Sequence, residues 1–125
     1  MDRLVTMLHD PASIRSRRAA AWALANMRHV DAMPHLISAL KDDDEQVQIG
    51  GLVGLKRLGD QRGLEPVLAY LEDGPTTEAA SWARQTLEAI VIQMGLAQSA
   101  GELRDLGTNP RTWRNFIRAA RMGGG

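Results

Sequence analysis

The sequence predicts an all-α chain: a short right-handed α–α solenoid of about three helical hairpins, closed by helices outside the repeat. Three observations predict it. Ala and Leu dominate, with one Tyr and one Phe in 125 residues. The chain resembles itself at an offset of about 31 residues, and helix start and stop residues recur at that interval. Ala and Leu lead the helix scale, whereas strands draw on β-branched and aromatic side chains. Self-similarity at a fixed period is the sequence mark of stacked supersecondary units.

The register is direct. With Met33 set on Leu64, Leu36 falls on Val67, Ile37 on Leu68 and Leu40 on Leu71. The same offset carries Ala20 to Gly51, Leu24 to Leu55 and Met27 to Leu58, and a further step of about 32 reaches Ala83, Leu87 and Ile90. Leu4 and Leu8 map onto Leu36 and Leu40. The expected organisation is one domain over residues 1–125, with repeats at about 2–28, 31–59 and 63–95 and capping helices with a glycine tail over 96–125. Short first helices are expected over roughly Asp2–His9, Asp31–Lys41 and Gly63–Glu72, and longer second helices over Pro11–Met27, Asp44–Leu58 and Thr76–Met94. Asp10 before Pro11 reads as an N-cap followed by a proline where no N–H is needed. Asp42, Asp43, Asp44 and Glu45 suit the positive end of a helix dipole. Asp73-Gly74-Pro75-Thr76 makes the equivalent turn, and Gly59-Asp60 and Gly95 are C-terminal stops. Small residues at Ala19, Ala20 and Ala23, and at Gly50, Gly51 and Gly54, read as sites of close helix approach.

Ser16-Arg17-Arg18-Ala19-Ala20-Ala21-Trp22-Ala23-Leu24 resembles the second helix of HEAT-like repeats of the phycobilisome-lyase type, whose pattern is Val-Arg-x-x-Ala-Ala-x-Ala-Leu followed by a Gly-Asp turn. Val47 to Leu55, then Leu58-Gly59-Asp60, repeats it with weaker identity, and Ala79 to Leu87 keeps Ala83 and Leu87 but loses the Val and the Arg. The resemblance covers about three quarters of the chain. It implies the solenoid fold and leaves function open, because the same repeat serves adaptors, lyases, hydroxylases and DNA-binding proteins.

The net charge of zero conceals segregation. Residues 1–30 carry five arginines against two aspartates, residues 31–105 six basic against thirteen acidic side chains, and residues 106–125 four arginines and no acid. With no Cys, disulfides and thiolate metal sites are excluded. No apolar stretch approaches the roughly 18 residues of a membrane span, and Met1-Asp2-Arg3-Leu4 opens no apolar signal core. The expectation is a cytoplasmic protein. No cofactor is expected, and the parts of an enzyme are missing. Ser13, Ser16, Ser38, Ser81 and Ser99 have no evident base. His9, His29 and His35 form neither the His-Glu pair that the metal-binding hydroxylases of this repeat need nor a His-x-x-x-His spacing. Asp42 to Glu45 lacks the alternation and central glycine of a calcium loop.

The function expected is therefore a non-enzymatic protein–protein interaction module, an adaptor, scaffold or accessory subunit of a larger assembly. Between the Ala and Leu anchors of the second helices, Arg18, Trp22 and Ala25, then Ile49, Val53 and Lys56, then Ser81, Gln85 and Glu88 are expected to point outward. Arg18, Trp22, Ile49, Val53 and Lys56 then form the candidate partner-binding patch, an apolar ridge with cationic flanks. Beyond the repeat, Ser99-Ala100-Gly101-Glu102 reads as a capping box that opens a short helix ending near Gly107. Asn109-Pro110 starts a last helix to Met122. Its apolar face is Trp113, Phe116, Ile117 and Ala120, and Arg111, Arg114, Arg118 and Arg121 occupy an arc of about 80° on the other side. That basic edge, with Arg15, Arg17 and Arg18, carries the alternative reading, an accessory protein that binds nucleic acid or another anion. Another protein is the first expected partner, and self-association through the uncapped first repeat is a further one.

Overall fold

In the computed structural model, the described residues are 1–123. They form seven α-helices and three 3-10 segments, with no strand among them. The helices are α1 (Asp2–Leu8), α2 (Ile14–Met27), α3 (Met33–Ala39), α4 (Glu45–Leu58), α5 (Leu64–Glu72), α6 (Thr77–Gln93) and α7 (Pro110–Gly123). The predicted all-α class of helical hairpins holds. Gly124 and Gly125, read from the sequence as part of a glycine tail, lie outside the described residues.

The repeat is visible in the hydrogen bonds that start each second helix. The N–H of Ser16 donates to Ser13 Oγ (3.0 Å), that of Val47 to Asp44 Oδ2 (3.1 Å) and that of Ala79 to Thr76 Oγ1 (3.2 Å). Each satisfies one of the orphan donors of a helix start. The first cap corrects the expectation at Asp10–Pro11. Asp10 instead takes the N–H of Ala12 in a two-residue turn (2.9 Å), and α2 waits for Ser13. The entries to α3 and α5 are 3-10 turns with matching acceptors, His29 Nδ1 for the N–H of Asp31 and Asp60 Oδ1 for that of Arg62. The predicted capping box at Ser99 is absent. Ser99 makes no side-chain cap, Ala100–Leu106 is a 3-10 helix, and Glu102 accepts from the N–H of Gln98.

Contacts gather the chain into two compact units that meet in sequence between Leu58 and Gly59. In the first, α1 packs on α2, α3 on α4, and α2 against α4 most extensively. Glycines make the last two approaches close. A Cβ on Gly50 would lie 2.9 Å from that of Ala21, and one on Gly51 only 2.7 Å from the Leu36 carbonyl oxygen. Three glycines inside a helix cost about 1 kcal/mol each relative to alanine, so here they are explained by contact rather than by flexibility. In the second unit, α5 packs on α6 and α7 packs on α5, while Ala100–Leu106 lies against α6. Trp113 anchors α7. It is fully buried, and its Nε1–H donates to the Gly107 carbonyl at 2.8 Å. Gly107 has φ +63° with ψ −142°, a conformation open in practice to glycine alone.

Candidate functional site

The first candidate surface, the ridge through Trp22 and Val53, is only partly present. Arg18 is exposed and Trp22 and Lys56 are half-buried, but Ile49 and Val53 retain 2% and 4% exposure and Ala25 only 1%. The expected outward register of Ile49, Val53 and Ala25 is therefore corrected. Val47 and every residue from Ile49 to Leu55 are buried, so the middle of α4 is enclosed on every face, as an apolar-all-round stretch of helix must be. Ala25 is enclosed because α2 meets α4 there; a Cβ on Gly54 would come within 3.1 Å of its Cα. Ser81, Gln85 and Glu88 are half-buried. Of the patch, Arg18 remains outward and Trp22 and Lys56 partly so, with Arg15 and Ala19 exposed on α2 as well.

Two of the N-terminal arginines are occupied. Arg17 Nε lies 2.9 Å from Asp42 Oδ2, with both side chains 14% exposed, and Arg17 also donates to the Asp10 carbonyl. Arg18 forms a bidentate pair with Asp44 at 2.8 and 2.7 Å. The Arg18 hydrogen bonds hold the Asp44 carboxyl below the usual carboxylate range, and the N–H of Val47 adds to them. Asp44 in turn raises the Arg18 guanidinium above its usual value. These partners lie 25 and 26 residues away in the chain, so two arginines of the basic start meet two aspartates of the acidic middle beside the α2–α4 contact.

The second candidate surface is the basic edge of α7, and here the structure divides the four arginines. Arg114 reaches α5, where it pairs with Glu65 at 3.0 Å and Glu72 at 2.8 Å, and these hydrogen bonds, Glu72 first, raise its guanidinium above the ordinary value. Arg111, Arg118 and Arg121 are exposed and have no acidic partner among the described residues. The edge flanks the buried face rather than opposing it. Arg121 and Arg114 follow Ile117 around the helix by about 40° and 60°, which brings Arg114 to α5.

An open groove of about 410 Å³ runs between α5 and the end of α7. Leu64, Leu68 and Ile117 form its floor, and Glu65, Arg118, Arg121 and Met122 its rim. A second hollow of about 460 Å³ lies on the other side of Arg114, bounded by Glu72, Arg111 and Arg118. Met122 is the most exposed large apolar side chain among the described residues, at 79%. No group of three or more His, Cys, Asp or Glu among the described residues is placed to hold a metal ion, and no helix among them is long and apolar enough to cross a membrane.

The family profile for HEAT repeats matches residues 1–88. The chain belongs to the HEAT-repeat family. The match covers the first two hairpins and the third as far as Glu88 in α6, so the α7 surface lies beyond it. No curated protein and no solved structure matches the chain.

Sequence reasoning missed the α5 wall of the groove. Its signal was available: Glu65 and Glu72 stand seven residues apart, on nearly the same helix face, an arrangement that presents two carboxylates to a cation approaching from one side. Met122 was read only as the end of a helix.

Proposed function

We propose that this HEAT-repeat chain is a non-enzymatic protein-interaction module, an adaptor, scaffold or accessory subunit of a larger assembly. HEAT repeats commonly serve protein interaction, and the α7 edge is the observation that carries the reading for this chain. Arg17, Arg18 and Arg114 are all held by internal carboxylates, whereas Arg111, Arg118 and Arg121 have no acidic partner among the described residues; Arg118 and Arg121 border the open groove and Arg111 the hollow beside it. Arginine next to exposed apolar surface is the composition that distinguishes protein interfaces. Trp22 of the candidate patch keeps a place in this reading as a second, half-exposed contact. Within the family, the phycobilisome-lyase-type assignment rests on the Ser16 to Leu24 motif and the Gly59-Asp60 turn.

Site-specific photo-crosslinking tests the reading. A photoreactive residue at exposed Asn115, on α7, is expected to capture a discrete protein in extract of the source cells, and the same residue at Arg3 is expected to capture none. Capture of nucleic acid alone, or nothing at Asn115 and at Trp22, overturns it. The alternative, binding of nucleic acid or another anion, loses Arg17 and Arg18 to ion pairs. Self-association would use the exposed Ile14, Met27 and Val30 of the first unit, and sedimentation mass measures it.

A further inference from the structure

We infer that the α5–α7 groove binds an acidic peptide segment that carries an apolar anchor side chain, an inference that rests on the protein-interaction reading. Three features define that occupant. The guanidinium groups of Arg111, Arg118 and Arg121, which have no acidic partner among the described residues, follow one edge of α7, seven and then three residues apart, or about 10 and 4.5 Å along the axis; Arg118 and Arg121 border the groove and Arg111 the adjoining hollow. Each can take a carboxylate in two parallel hydrogen bonds. Arg114 pairs with both Glu65 and Glu72, and four arginines against these two glutamates leave the edge net positive. Among the groove's lining residues, Met122 is 79% exposed, and Leu64 and Ile117 show their edges at the floor, an apolar contact that a purely ionic ligand would leave open to water.

The other polyanions fit less well. A nucleic-acid strand gains from aromatic platforms on which its bases stack, and no aromatic side chain borders this groove. Phe116 lies half-buried on the opposite side of α7. A membrane surface needs the apolar face of a basic helix, and on α7 that face is committed to the protein interior through Trp113 and Ile117.

The test selects ligands for the full-length chain from a phage-displayed library of random peptides about 12 residues long, enough to cover the roughly 15 Å from Arg111 to Arg121. Enriched peptides are expected to combine several Asp or Glu with Leu, Met or Phe. Measured by fluorescence anisotropy, they are expected to bind Arg118→Glu/Arg121→Glu at least about tenfold more weakly, in line with reversal of charges at an interface. Met122→Asp is expected to weaken them likewise, while Arg15→Glu on the first unit leaves them unchanged. Arg118, Arg121 and Met122 are exposed, and unchanged thermal unfolding of the variants confirms that they fold. Peptides without acidic residues, equal affinity for the double variant, no enrichment at all, or a single-stranded oligonucleotide of similar length bound as tightly each overturn the proposal. If Asn115 still captures a protein in cell extract and the double variant captures it equally, the interaction reading stands and this groove is not its site.

Discussion

At the residue scale, the repeat shows where the chain departs from its own rule. α2 ends at Arg28 in the left-handed conformation, φ 52° and ψ 37°, and 31 positions later α4 ends at Gly59 with φ 61°. Glycine holds that conformation without steric cost; a side chain with a Cβ pays about 1–2 kcal/mol. Arg28 is exposed and makes no ion pair among the described residues, so nothing visible offsets its strain. Arg28→Gly is therefore expected to raise stability by about 0.5–1 kcal/mol, the strain relief less the added entropy of an unfolded glycine. A higher urea midpoint with unchanged slope is the expected reading; a lower one would mean that Arg28 makes a contact in solution beyond those described. The departure was legible, since Arg28 aligns with Gly59 in the sequence, but its meaning required the backbone angle.

At the scale of elements, two contacts carry most of the testable energetics. Asp44 caps α4 and also holds Arg18 of α2. A carboxylate whose folded-state pKa is depressed contributes stability that is present above its unfolded pKa, near 4, and is lost as pH falls through the folded value. Asp44→Asn keeps an effective helix cap and removes the charge together with one of the two oxygens that accept from Arg18. It is expected to be less stable than the parent at pH 7, and the gap should narrow as pH drops below about 4. Urea titrations at several pH values check this, and a gap independent of pH would assign the loss to something other than the Arg18 pair. The second contact is the seat of α7. Trp113 is fully buried and ties the helix to the Gly107 turn, so Trp113→Ala is expected to cost about 3–5 kcal/mol and to expose Arg111, Arg118 and Arg121 to trypsin in limited digestion. Of these contacts the sequence displayed the apolar face of α7 clearly. It hid the Arg18–Asp44 pair, because periodicity groups residues along one helix and is silent on what stands opposite.

At the scale of the whole molecule, spacing predicted the all-helical class well, and the shortfalls share one cause. The second helices were read as having an inner and an outer face, but α4 is buried around its circumference from Ile49 to Leu55, so Ile49 and Val53 are core residues. Arginines that look free in a linear charge count are spent on acids elsewhere: Arg17 and Arg18 on Asp42 and Asp44, Arg114 on Glu65 and Glu72. Segregated charge in the sequence thus becomes pairing in space, and the unpaired remainder on α7 is the more informative quantity. The double duty of Asp44 also limits how this array can be lengthened. At the register positions of Arg17 and Arg18 the next second helix carries Gln48 and Ile49, and the cap that follows it is the uncharged Thr76. A tandem duplication of the second hairpin would set an aspartate cap after a helix with no arginine to receive it. The exchangeable module of this chain is not one hairpin but the back of one helix together with the cap of the next.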